Sequence, residues 1–270
     1  MKYYLYNPKS NNGILPEYLK DKKYEDATKI DYQKFFDSLK KGDEVVLVGG
    51  DGTINYFINH VDVEKLKNKV YFKPAGTGND FLRDIERKAD EEIDLDPFIH
   101  DLPTVKVNGI TAKFINGIGY GIDGYCCETA DKMKADGYEG EIDYAGIAIK
   151  GLLFHFKPKT ATVTVDGKEY IFKKTWIAAT MKGRFYGGGM MIAPAQDRKD
   201  KTVSLVTYMT GSKLKALISF PSIFKGEHVK KEKMVKVITG KKIKVSFDVP
   251  CALQIDGDTV LNVKEYEVIA

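Results

Sequence analysis

Two short glycine-bracketed segments carry the chemistry that can be read from this chain: Val48-Gly49-Gly50-Asp51-Gly52-Thr53 and Pro74-Ala75-Gly76-Thr77-Gly78-Asn79-Asp80. Glycine lets main-chain N–H groups turn toward a ligand with no side chain in the way. Each segment also holds a carboxylate, which a site built only to bind phosphate would not need. Main-chain donors beside carboxylates point to a nucleotide accompanied by Mg2+, and so to phosphoryl transfer. That chemistry relies on positioning and electrostatic stabilisation of charge spread over oxygens.

The elements around the turns fit that use. Each turn follows an apolar run that reads as a buried strand (Glu44–Val48 and Val70–Lys73) and leads into a helical segment. Thr53–His60 carries Ile54, Phe57 and Ile58 at i, i+3 and i+4, one apolar helix stripe. With Lys2–Tyr6 as a further strand, Asp31–Leu39 as a helix and Asp80–Ile85 as a short one, the first hundred residues alternate strand and helix. That order predicts an α/β domain with a Rossmann-like open, mostly parallel sheet, its ligand at the carboxyl ends of the strands. After about Pro103 the character changes to short β-rich runs: 104–107, 111–117, 160–165, 169–173, 175–181, 203–208, 235–239, 243–247 and 252–255. Asn108-Gly109, Asp166-Gly167 and Asp256-Gly257 mark turns among them. Helical stretches interrupt near Tyr125–Lys134, Asp143–Phe156 and Lys213–Phe224. The expectation is a second, all-β sandwich domain over 104–259, after a first domain over 1–103, with an active-site cleft between them.

Composition narrows the class. At 43% hydrophobic residues, with 16 Tyr and 14 Phe, the chain has ample material for a packed core, which argues against disorder. A net charge of +4 from 42 basic and 38 acidic side chains is too small for a nucleic-acid binder. It does permit attraction to phosphates or an anionic membrane. No apolar stretch approaches the roughly 20 residues of a transmembrane segment, and the N-terminus has no signal-peptide core. Three cysteines, two of them adjacent (Cys126-Cys127), suit a reducing compartment, and four scattered histidines show no transition-metal spacing. A cytoplasmic protein is expected, with peripheral contact at the inner membrane face. Lys225–Lys233, preceded by Ile218, Phe220, Ile223 and Phe224, is the candidate membrane-contacting run. A homodimer is left open.

The chain resembles the diacylglycerol kinase catalytic-domain family, the bacterial soluble lipid kinases related to sphingosine and ceramide kinases, and does so nearly end to end. Asn7-Pro8-Lys9-Ser10 resembles its N-terminal turn, Gly49–Asn55 its nucleotide loop, and Gly76–Phe81 its second phosphate loop. Gly117–Asp123 and Gly187–Pro194 resemble later glycine segments, and Leu253–Asp258 stands where the family has Leu-Asp-Gly-Glu. The first loop alone is weak, because NAD kinases and phosphofructokinases share Gly-Gly-Asp-Gly. The second loop and the β-rich half behind it favour the lipid-kinase branch.

The resemblance implies Mg2+- and ATP-dependent phosphorylation of a lipid hydroxyl at a membrane surface, on a diacylglycerol-like or related lipid. Gly49, Gly50, Gly52, Thr53 and Asn55, with Gly76, Thr77 and Asn79, would bind the ATP phosphates. Asn7 and Thr28 match family positions near the nucleotide. Asp51 would hold Mg2+ or orient the attacking hydroxyl, or else serve as a helix cap. Asp80 would anchor its loop or share in catalysis. Asp258 matches the family glutamate that acts as general base, one methylene shorter. Asp197, Asp200 and Thr202 match a structural Mg2+ site of oxygen ligands. The family's final strand returns to the first domain, which would place about 260–270 there. Tyr56 stands where the family carries glutamate. With Asp258 it sustains one alternative, a catalytically impaired nucleotide-binding regulator. The other alternative is a kinase of a soluble alcohol such as NAD.

Overall fold

The computed structural model describes residues 1–10, 13–76, 78–138, 140 and 142–270, and divides into two compact units, Met1–Leu102 and Pro103–Ala270. In the first, β1 (Lys2–Tyr6), β2 (Tyr24–Asp26), β3 (Glu44–Gly49), β4 (Lys69–Pro74) and β5 (Ile93–Asp94) form a sheet ordered β2-β1-β3-β4-β5. All neighbours are parallel except the edge pair β4 and β5. Val45 to Val48 of the central strand are fully buried, as a strand covered on both faces requires. The helices are α1 (Tyr32–Asp37), α2 (Asp51–His60), α3 (Asp80–Asp84) and α4 (Asp96–Ile99). The α2 stripe Ile54, Phe57 and Ile58 is buried. Each such side chain contributes roughly 1.5–3 kcal/mol. Asp31 caps α1 by accepting from the Lys34 amide.

The second unit is built on a nine-stranded sheet. Its strands are β6 (Thr104–Val107), β7 (Ile110–Lys113), β8 (Gly117–Tyr120), β9 (Lys159–Val165), β10 (Lys168–Met181), β13 (Val203–Met209), β14 (Val235–Gly240), β15 (Lys242–Ile255) and β16 (Asp258–Ile269). The small pair β11 (Phe185–Tyr186) and β12 (Met190–Met191) lies apart from it. The long strands β10 and β15 each pair with β9 at one end and β8 at the other, so the sheet folds over on itself. One core lies between its layers, where Tyr120 stacks on Phe247 at 4.0 Å. A second lies under α5 (Ile122–Ala135), α6 (Tyr144–Lys150) with a π-helical turn over 151–155, and α7 (Lys213–Ser219).

Three departures from the sequence expectation have local causes. The runs 169–173 and 175–181 are one strand, because the polar Lys173-Lys174 pair is a bulge with Lys174 left-handed, not a break. The runs 243–247 and 252–255 are likewise one strand, with Pro250 inside an irregular stretch of the ladder, where its missing N–H is tolerated. The segment about 260–270 does not return to the first unit. It continues β16, which pairs with β15 and β6, because the tight turn Asp256-Gly257 sends it straight back along β15.

Candidate active site

In the first unit the two glycine turns lie against each other at the carboxyl ends of β3 and β4. The Ala75 amide donates to Gly49 O at 2.7 Å. A Cβ on Gly76 would stand 2.6 Å from Gly50 Cα, so the approach is backbone on backbone. Gly50 caps α2, and a Cβ on Gly49 would overlap the buried Thr53 hydroxyl. The first-turn amides of α2 thus face this edge with the positive end of the helix dipole, an arrangement suited to phosphate. Asp51 accepts from the Asp80 amide at 2.7 Å and the Phe81 amide at 3.3 Å, so its carboxylate fastens the start of α3 to the first turn. It caps a neighbouring helix, a use its own motif does not announce.

The remaining nucleotide candidates separate by position. Asn7 sits at the end of β1 and donates to Thr53 Oγ1 at 3.2 Å, joining the same edge. Asn55 is buried on α2. Gly52 lies in the first turn of α2. Asn79 is left-handed and donates to Gly76 O, and its Oδ1 is buried with no hydrogen-bond partner, an acceptor suited to a ligand's N–H or O–H. Thr28 is exposed, and its amide and hydroxyl both bond Asp26 Oδ1, an Asx turn after β2. Thr77 lies outside the described residues. Tyr56, at the family's glutamate position, stacks on His60 at 3.7 Å.

In the second unit the Asp256-Gly257 turn is held from below. Asp256 accepts from the amides of Ile115 (2.6 Å), Asn116 (2.9 Å) and Gly117 (2.8 Å). Arg198, itself buried, donates to Ile115 O and to Asn116 Oδ1. Asp258 opens β16 directly after this turn and is exposed. Asp123, two residues into α5, is missed by residue-by-residue reasoning, although it closes the Gly117–Asp123 segment. Tyr186 donates to it at 2.5 Å, and dense enclosure by protein pushes its carboxyl up to about 7, against the lowering effect of that hydrogen bond. A Cβ on Gly119 would collide with Asp123 Cβ and Gln254 Nε2, so these three groups meet. Burial, followed by the charges of Asp123 and Asp131, pushes the Cys127 thiol up to about 12.

The Mg2+ site expected at Asp197, Asp200 and Thr202 does not fit its donors. Lys182 Nζ donates to Asp200 O at 2.7 Å, and Gln196 Nε2 donates to Asp197 O and Thr202 O. The Asp197 carboxylate accepts from the Lys199 amide. A lysine ammonium therefore stands on a carbonyl that the metal would need. Among the described residues no group of three or more His, Cys, Asp or Glu gathers elsewhere.

A small apolar pocket of about 20 Å³ in the second unit is lined by Ile122, Ala148, Leu152, Trp176, Ala216 and Ile223 among others. Among the described residues no helix is long and apolar enough to cross a membrane.

A family model described as the diacylglycerol kinase catalytic domain matches residues 3–104. A second, described as the YegS C-terminal NAD kinase beta sandwich-like domain, matches residues 116–265, more than half the chain. The chain belongs to the diacylglycerol kinase catalytic-domain family. A diacylglycerol kinase of Mycobacterium tuberculosis (strain H37Rv) is 29% identical over 201 residues, covering 71% of this chain and 63% of that relative. This family member thus spans less than two thirds of that relative's length. A crystal structure of a diacylglycerol kinase from Bacillus anthracis str. Sterne matches with a TM-score of 0.66 at 18% identity, over 99% of this chain and 93% of that one. At that identity the likeness shows the fold.

Proposed function

We propose that this protein is an ATP-dependent lipid kinase that transfers the γ-phosphoryl group of Mg-ATP to the hydroxyl of a diacylglycerol-like lipid. The observation that carries the reading is the pair of glycine turns, packed backbone on backbone and fastened by Asp51 at the carboxyl edge of a parallel sheet. The match to the diacylglycerol kinase catalytic domain and to relatives named for lipid phosphorylation supports a lipid acceptor over a soluble alcohol.

In this reading the turns around Gly49–Gly52 and Gly76–Asn79 hold the nucleotide phosphates through main-chain amides, with Asn7, Thr53 and Asn55 beside them. Asp258 takes the proton from the lipid hydroxyl as its oxygen forms the new O–P bond. The bond from the γ-phosphorus to the β–γ bridging oxygen breaks, and ADP leaves. Asp256 sets the position of Asp258 by holding the turn before it. Reach is the sensitive quantity, because misplacement of about 1 Å costs on the order of a hundredfold.

The test is turnover on a panel of acceptors. Purified protein with γ-labelled ATP, Mg2+ and diacylglycerol in mixed micelles should yield labelled phosphatidic acid. Label appearing on NAD instead would make the acceptor a soluble alcohol. ATP binding with no product across the lipid panel would make the protein a nucleotide-binding regulator.

A further inference from the structure

We infer that one face of the second unit, formed by α6 with its π-helical turn and by α7, docks onto an anionic lipid bilayer. It deepens the lipid-kinase reading and rests on that reading for why a bilayer is met at all.

The helix α7 has two apolar sides. Ala216 and the following Phe220 and Ile223 face inward and line the pocket. Leu214 and Ile218, four residues apart and so on one side of the helix, are 65% and 71% exposed. Lys213 Nζ donates to Leu153 O at 2.5 Å, which ties α7 to the π-helical turn, where Phe154 is 75% exposed. Ile149 on α6 and Phe224, five residues beyond the end of α7, are exposed as well. Single exposed apolar side chains are ordinary, but a cluster across two joined segments marks a surface that something covers.

Charge identifies what covers it. Residues 144–159 and 211–226 contain Lys150, Lys157, Lys159, Lys213, Lys215 and Lys225 and no Asp or Glu, in a chain whose basic and acidic residues nearly balance. Exposed apolar side chains on segments that carry lysines and no acidic residues match acyl chains under anionic headgroups. A second copy of this chain meeting the face across a twofold axis would set like charges against each other. The run Lys225–Lys233 contributes only its first residue. Beyond it Glu227 and Glu232 intervene, and Gly226 and His228 are buried.

The experiment reads binding without turnover, with ATP binding measured separately on the same samples, so that the face and the kinase reading can fail independently. The full chain is sedimented with vesicles of phosphatidylcholine alone or mixed with phosphatidylglycerol. Binding is expected to the mixed vesicles, weakening as salt is raised. The triple variant Phe154→Gln, Leu214→Gln, Ile218→Gln should lower partitioning by about tenfold or more. Lys150→Glu with Lys215→Glu should lower it by a similar factor, about tenfold. The exposed apolar residues Ile171 and Val249, changed to Gln on strands, should leave it as in the parent. The proposal is overturned if the parent ignores the mixed vesicles, or if the triple variant binds as the parent does. It is also overturned if sedimentation velocity shows a dimer of the parent that the triple variant dissolves, since the face would then join two copies.

Discussion

The two units fasten their candidate sites in the same way but over very different lengths of chain. In the first, Asp51 holds the amides of Asp80 and Phe81, 29 and 30 residues away, and both partners lie within turns recognisable by themselves. In the second, Asp256 holds the amides of residues 115–117, which lie 139 to 141 residues away in sequence. The first site is therefore a pair of adjoining motifs, and the second is a product of the whole fold. The first should tolerate damage elsewhere in the chain, and the second should report on the packing of its entire unit.

The glycines give the harshest break in that comparison. A Cβ on Gly124 would sit 2.0 Å from Ala252 O, pushing α5 off β15. Gly124→Ala should destabilise the second unit by about 3 kcal/mol or more, read by denaturant unfolding. Gly76→Ala should weaken ATP binding by about a hundredfold through displacement of the turn, with the second unit's unfolding unchanged. Equal effects of both on global unfolding would contradict the division into a local and a distributed site.

Next in size is Asp256→Ala, which strands three amides and should cost about 3 kcal/mol. A loss within about 0.5 kcal/mol would show that the turn holds without its fastener. Asp123 gives a smaller, pH-dependent effect. Its folded carboxyl titrates near 7 against 3.8 for the ordinary group, so the unfolded chain releases this proton first as pH rises. Stability should therefore fall between about pH 4 and 7, with a slope of up to about 1.4 kcal/mol per pH unit from this group, and Asp123→Asn should remove that component. An unchanged slope in the variant would assign the dependence elsewhere. The smallest expected effect is Thr28→Ala, which loses the bond to Asp26 in an exposed turn. It should cost under about 1 kcal/mol and leave ATP affinity within about twofold.

How much could be read in advance follows the same contrast. The β-branched run before Gly49, the apolar stripe of α2 and the positive-φ pairs Asn108-Gly109, Asp166-Gly167 and Asp256-Gly257 are short-range signals, and the structure places strand, helix and turns there. Lys173-Lys174 and Pro250 read as breaks because a bulge and a break look alike until the partner strand is known. The fastening by Asp256, the Tyr186 partner of Asp123 and the lysine standing at Asp200 O depend on contacts that no local pattern encodes. The bond from Lys213 to Leu153 O, which joins α7 to the π-helical turn, spans 60 residues and is equally invisible to a local pattern.

The most direct measurement compares the parent and Asp258→Asn, side by side, for transfer of label from γ-labelled ATP to diacylglycerol in mixed micelles. The account predicts labelled phosphatidic acid from the parent. It also predicts a loss of about a hundredfold or more in the variant, with ATP affinity and unfolding unchanged, as expected when a general base is removed. Equal rates for the two proteins, or no lipid product from the parent, would contradict it.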